Sequence, residues 1–113
     1  MSDCLFCKII KNEIPSTKIF DNDVVMGFVD IFPQAKTHLL FIHKNHSKDI
    51  NEMSNDPAAI GQVFQAIAEY TKREGLDQKG FRVVTNLGKN AGQTVFHTHF
   101  HVLGGETLGR FGS

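Results

Sequence analysis

Phe96-His97-Thr98-His99-Phe100-His101-Val102 alternates between two kinds of side chain. A strand repeats its side-chain direction every second residue, so His97, His99 and His101 share one face. Phe96, Thr98, Phe100 and Val102 share the other, which is the core side of a strand running from about Val95 to Leu103. Three imidazoles therefore line the face turned away from the apolar layer. A solvated face that happens to be rich in histidine explains this poorly, because His has no strand preference that would place it at three alternate positions. A metal held by all three is a better rival, imidazole being the commonest metal ligand. Ligands at i, i+2 and i+4 of one strand are spread along a line, however, and converge awkwardly on one tetrahedral ion.

Upstream of this strand, Asn86-Leu87-Gly88-Lys89-Asn90-Ala91-Gly92-Gln93-Thr94 supplies small residues that let backbone N–H groups approach an anion. Its Asn, Gln and Thr side chains add neutral donors. Joined to the histidine strand, the loop can deliver donors to whatever His99 touches. Further back, Phe81–Asn86 reads as a strand. The best helix begins after Asp56-Pro57, an N-cap residue followed by Pro at the first helical position. Its Ile60, Val63, Phe64 and Ile67 form one apolar stripe, and Gly75 supplies the stop. Thr17–Asp21 and Val24–Asp30 are β-rich runs joined by Asn22-Asp23, a pair suited to a tight hairpin. Ile31-Phe32-Pro33-Gln34 breaks the pattern and His38–His43 restarts a strand. Asp3 is a plausible N-cap for a short helix over residues 4–11, ending near Asn12. The order is helix, three strands, long helix, two strands. The tight connection implies antiparallel pairing, and one main helix must cover one sheet face, so an α+β sandwich follows.

The 113 residues suit a single domain, 1–113, with one hydrophobic core. Lys plus Arg and Asp plus Glu both number 12, so net charge gives no pull toward nucleic acid or an anionic membrane. Recognition of a phosphate must be local. The first ten residues lack the basic segment and apolar run of a signal peptide, and no stretch approaches the roughly 20 apolar residues of a membrane span. A cytoplasmic location is expected, where thiols stay reduced, and a disulfide is a poor reading of Cys4 and Cys7.

His97-Thr98-His99-Phe100-His101-Val102-Leu103, followed by Gly104-Gly105, resembles the signature of the histidine-triad family. Gly92-Gln93-Thr94-Val95-Phe96, Asp30-Ile31-Phe32-Pro33-Gln34-Ala35, Thr37-His38 and Lys44-Asn45-His46 match its nucleotide-binding branch. The resemblance runs from about residue 3 to residue 105. It implies an α+β fold with a five-stranded antiparallel sheet, one long helix and a short N-terminal helix, usually paired as a homodimer with a continuous sheet. It also implies hydrolysis at the α-phosphate of a purine nucleotide, typically the P–N bond of adenosine phosphoramidates (AMP-NH2 or AMP-lysine type).

Carried over by position, the resemblance makes His99 the nucleophile that forms a nucleotidyl-histidine. A neutral imidazole has a free lone pair at pH 7 and leaves again readily, provided an acceptor, usually a backbone carbonyl of the same strand, holds its other nitrogen. His101 would donate to the phosphate oxygens. Thr94 stands where the family often has Ser and would bond the leaving group or a phosphate oxygen. Asn86, Gly92 and Gln93 would face the phosphate and ribose, and Asp30 would accept the ribose hydroxyls, unless it simply ends a strand. Leu5, Phe6, Ile9, Phe28 and Ile31 would make the apolar slot for the base, or serve as core. His38 is either a reactant or a buried support for one. Arg110 or Phe111 in the tail would approach the partner subunit's site.

Cys4-Leu5-Phe6-Cys7 places two thiols on one side of a helical turn, as two thiolates on one metal require. Some histidine-triad members, and the related galactose-1-phosphate uridylyltransferases, resemble this pattern of a Cys pair, a distant His and the first triad His. On that likeness His46 and His97 complete a structural Cys2His2 zinc site; the alternative is two reduced thiols without metal. Two other functions remain open from sequence: a dinucleoside polyphosphate hydrolase using the same His99 chemistry, and a non-catalytic nucleotide- or partner-binding module.

Overall fold

Hydrogen bonding sorts the chain into five strands and four α-helices in the computed structural model, which describes residues 3–110. Phe111, one of the two tail residues singled out above, lies outside the described residues, and Arg110 is exposed at their end. The expected order is found, with two four-residue helices added, α2 (Ile50–Met53) and α4 (Leu76–Lys79).

α1 (Leu5–Ile10) is capped by Cys4 rather than Asp3, because the Cys4 Sγ accepts the Cys7 N–H at 3.3 Å. Asn12, at φ 62°, then turns the chain away in the left-handed region that Asn tolerates. β1 (Lys18–Asp21) and β2 (Val25–Val29) pair antiparallel. Asn22 Oδ1 closes their turn by accepting the amides of Val24 and Val25 at 2.9 and 2.7 Å. β3 (Thr37–His43) lies between β2 and β5 (His99–Gly104), and β4 (Arg82–Val84) pairs with β5 at the sheet edge. All four pairings are antiparallel.

α3 (Pro57–Glu74) starts and stops where its caps imply: Asp56 Oδ1 accepts the Ala59 N–H, and Gly75 sits at φ 77°. Its buried line runs through Ala59, Val63, Ala66, Ile67 and Thr71. The expected stripe is therefore slightly rotated: Val63 and Ile67 are buried, whereas Phe64 is 45% exposed at the margin, its ring edge-on to Phe100.

β3 carries apolar side chains on both faces. Leu39 and Phe41 join Phe20, Val25, Phe100, Val102 and the α3 side chains in the larger cluster. Leu40 and Ile42 join Phe6, Ile9, Met26 and Phe28 in a smaller one beneath α1. Ile42 is paired with His99 and Leu40 with His101, so the histidine face is itself packed rather than simply turned outward. Burying both faces explains why β3 reads as a continuous apolar run.

The last strand begins at His99, not near Val95. Residues before it leave the ladder: the Thr98 N–H donates to Ser47 O at 2.7 Å, and the Thr98 and Ser47 hydroxyls are 2.7 Å apart. Phe96 is consequently 58% exposed and not a core residue. β4 likewise keeps only the middle of the expected 81–86 strand.

Candidate active site

β5 presents His99 and His101 on the α1 side of the sheet, and Phe6 of α1 packs edge-on against His99. His99 is 8% exposed, and its Nδ1 lies 2.8 Å from the backbone oxygen of His97. A carbonyl only accepts, so Nδ1 carries the hydrogen and Nε2 keeps its lone pair. Burial lowers the His99 pKa, opposed by the bond to His97 and the charge of Asp30, and so favours the neutral ring.

A second chain of bonds sets His101. The Gln34 N–H donates to His38 Nδ1 at 2.9 Å, so the neutral His38 ring carries its hydrogen on Nε2. That Nε2 lies 2.9 Å from His101 Nδ1 and 3.3 Å from Asp30 Oδ2. With Nδ1 accepting, His101 carries its own hydrogen on Nε2. Burial pushes His101 down to about 4 and also lowers His38, so both rings are neutral at pH 7. Asp30, His38 and His101 bring ligand atoms within 4.8 Å of one another. His38 Nδ1 already accepts an amide, however, so its Nε2 is a donor and suits a hydrogen-bond chain better than a cation.

These groups open onto a slot of about 430 Å³. Leu5, Phe6, Ile9, Phe28 and Ile31 form apolar wall, while Asp30, His38, Thr94, His99 and His101 supply polar lining. Sequence reasoning did not single out Ile14, Pro15, Ser16 or Phe32, which also line it. Phe32, 75% exposed and directly after Ile31, was legible as an apolar residue in the break after Asp30. A hollow of about 590 Å³ beside Gly75–Phe81 and the tail is larger, but no histidine or cysteine lines it.

Asn86, Gly92 and Gln93 are not among the slot's lining residues. The Gly92 and Gln93 amides donate to Lys89 O and Gly88 O within their own turn, both at 3.0 Å. The Gln93 side chain is occupied too, donating to Lys48 O and Val95 O and accepting from Gly88 N. Instead of offering donors to an anion, as the sequence suggested, Gln93 fixes the loop that carries Thr94.

Behind His99, His46 and His97 meet the cysteines. His97 Nδ1 is 3.3 Å from Cys4 Sγ, 3.6 Å from Cys7 Sγ and 3.1 Å from His46 Nδ1, and Cys7 Sγ is 3.4 Å from His46 Nδ1. His97 Nε2 donates to His43 O at 2.9 Å, which turns the Nδ1 lone pair into the cluster. Zinc bonds of about 2.0–2.3 Å in a tetrahedron require ligand atoms about 3.3–3.8 Å apart, close to what the four residues present. The donor set and spacing therefore fit zinc. Burial raises the Cys7 thiol.

The HIT domain family profile matches residues 11–108, and the chain belongs to this histidine-triad family. A HIT-like protein of Helicobacter pylori is 43% identical over 102 residues, 90% of this chain and 96% of its own. The purine nucleoside phosphoramidase of Escherichia coli is 38% identical over 108 residues, covering 95% and 91%. A HIT family hydrolase from Clostridium thermocellum superimposes with a TM-score of 0.91 at 39% identity, covering 96% of each chain.

Proposed function

We propose that the protein is a hydrolase cleaving the α-phosphate bond of purine nucleoside phosphoramidates, of the AMP-NH2 or AMP-lysine type, through a nucleotidyl intermediate on His99. One observation carries the reading: His99 has its Nδ1–H held by His97 O and lines a slot walled by apolar residues and Asp30. A purine fits against Phe6, Phe28 and Ile31, and the ribose hydroxyls reach Asp30. His99 Nε2 attacks phosphorus as the P–N bond breaks, and the departing amine takes up a proton. The Nε2–H of His101 donates to the phosphate oxygens, stabilising charge that builds in the transition state. The Thr94 hydroxyl faces the leaving group. Water then attacks phosphorus, AMP and a proton are released, and His99 returns as neutral imidazole.

The proposal includes zinc on Cys4, Cys7, His46 and His97, where it would supply structural cross-linking rather than chemistry. It also includes a cytoplasmic homodimer: the outer edge of β4, which pairs with no further strand of this sheet, would extend into a continuous sheet, and a reducing compartment preserves the thiols. The phosphoramidase name of the Escherichia coli relative supports the substrate class. Side-by-side incubation with adenosine phosphoramidate and diadenosine triphosphate tests it. Faster AMP release from the phosphoramidate is expected; a preference for the triphosphate would reassign the substrate to dinucleoside polyphosphates.

A further inference from the structure

α1 belongs to two sites at once. The thiols of its cap residue Cys4 and of Cys7 meet His97 and His46, while Leu5, Phe6 and Ile9 form a wall of the slot. Phe6, 4% exposed, stands where the two meet. Its ring is edge-on to His99 (centroids 5.1 Å apart, planes at 88°) and also meets His97 at 5.9 Å and Phe28 at 5.3 Å. His97 faces both ways as well, with its ring in the cysteine cluster and its carbonyl on His99.

A helix of six residues has little stability of its own, so its seat depends on what it is tied to. A cation bonded to all four donors, whose closest pairs already lie 3.1–3.6 Å apart, would lock them in place and fix the helix against the sheet. A base in the slot would press on the same helix from the other side. We propose that Phe6 is a positioning residue that couples the Cys4–Cys7–His46–His97 cluster to the slot, so that zinc and nucleotide each tighten the other's binding. The inference rests on the nucleotide reading above and on the zinc fit of the cluster. Because binding linkage is reciprocal, one factor describes both directions.

Titration calorimetry of the full chain with AMP, zinc-loaded and metal-stripped, reads the coupling directly. Stripping is expected to weaken AMP binding on the order of tenfold, and saturating AMP to tighten zinc by the same factor in competition with a chelator. Phe6→Leu keeps an apolar wall but loses the flat edge on the two imidazoles, and its factor is expected to fall below about twofold. Equal AMP affinity in the two metal states, or an undiminished factor in Phe6→Leu, overturns the coupling alone. Loss of near-ultraviolet circular dichroism on stripping also overturns it, since coupling through one side chain requires a folded metal-free state. Failure of the zinc-loaded protein to bind AMP removes the nucleotide reading, and this inference with it.

Discussion

The backbone oxygen of His97 accepts the Nδ1–H of His99 at 2.8 Å, so a residue whose own ring faces two cysteines sets the tautomer of its neighbour but one. Orientation of the His99 ring is thereby built into the backbone just ahead of β5. No substitution at His97 can remove the carbonyl, but one that loosens the cysteine cluster can displace it.

His101 is expected to matter through its Nε2–H. His101→Ala should lower kcat by roughly 100- to 1000-fold, the usual cost of losing one donor to a developing oxyanion. His101→Gln, whose amide can place a donor nearby, should recover part of that loss. Single-turnover rates with adenosine phosphoramidate check this, and an unchanged rate in His101→Ala would refute the assignment.

In the proposed mechanism His38 acts through His101, which makes the choice of substitution informative. His38→Leu removes the donor to His101 Nδ1 and should cost roughly 10- to 100-fold in kcat with little change in KM. His38→Gln should restore most of it, because its amide can still donate to that nitrogen. Equal defects in the two variants would argue for mere packing.

The His38–His101 pair also gives stability a pH dependence. His101 titrates at about 4 in the folded chain and near 6.5 when unfolded, so between those values the unfolded chain binds the extra proton. Stability should therefore fall as the pH drops from about 6.5 to about 4, with no further loss from this group below that. Urea unfolding across this range, wild type against His101→Gln, should show a shallower decline in the variant. Parallel declines would contradict it.

Gln93 bridges three backbone groups from a buried position. Gln93→Leu leaves Gly88 N, Lys48 O and Val95 O without that partner and should cost about 2 kcal/mol or more of stability. It should also slow turnover by letting Thr94 drift. Chemical denaturation and kcat measured together check both effects.

Metal content is checked by elemental analysis of protein purified without chelator, which should show one zinc per chain. Chelator should then lower Tm markedly, as structural zinc contributes several kcal/mol to folding. No zinc, and a Tm indifferent to chelator, would leave the cluster as two reduced thiols beside two imidazoles.

The fold was largely legible because its signals are local. Asp56-Pro57 and Gly75 mark α3, and Asn22-Asp23 marks the hairpin. The two-residue period correctly set His99 and His101 opposite Phe100 and Val102, but it carried the strand four residues too far. Thr98 bonds Ser47 from a distant loop, a tertiary preference that no local pattern contains. α2 did have a signal: Asp49 caps the Glu52 N–H, and Glu52 bonds back to Lys48 N. In the site, the apolar wall and the cysteine–histidine cluster came from matching motifs. The Gln34–His38–His101 chain did not, because it depends on which ring nitrogen meets which partner across strands.

The proposed mechanism turns on covalent chemistry at His99. Mass spectrometry of protein quenched at neutral pH after brief mixing with adenosine phosphoramidate tests it, with wild type beside His99→Ala. An AMP-sized adduct on wild type, absent from the variant, is the predicted result. No adduct and no AMP release from wild type over hours would contradict this mechanism and leave a nucleotide-binding module in its place.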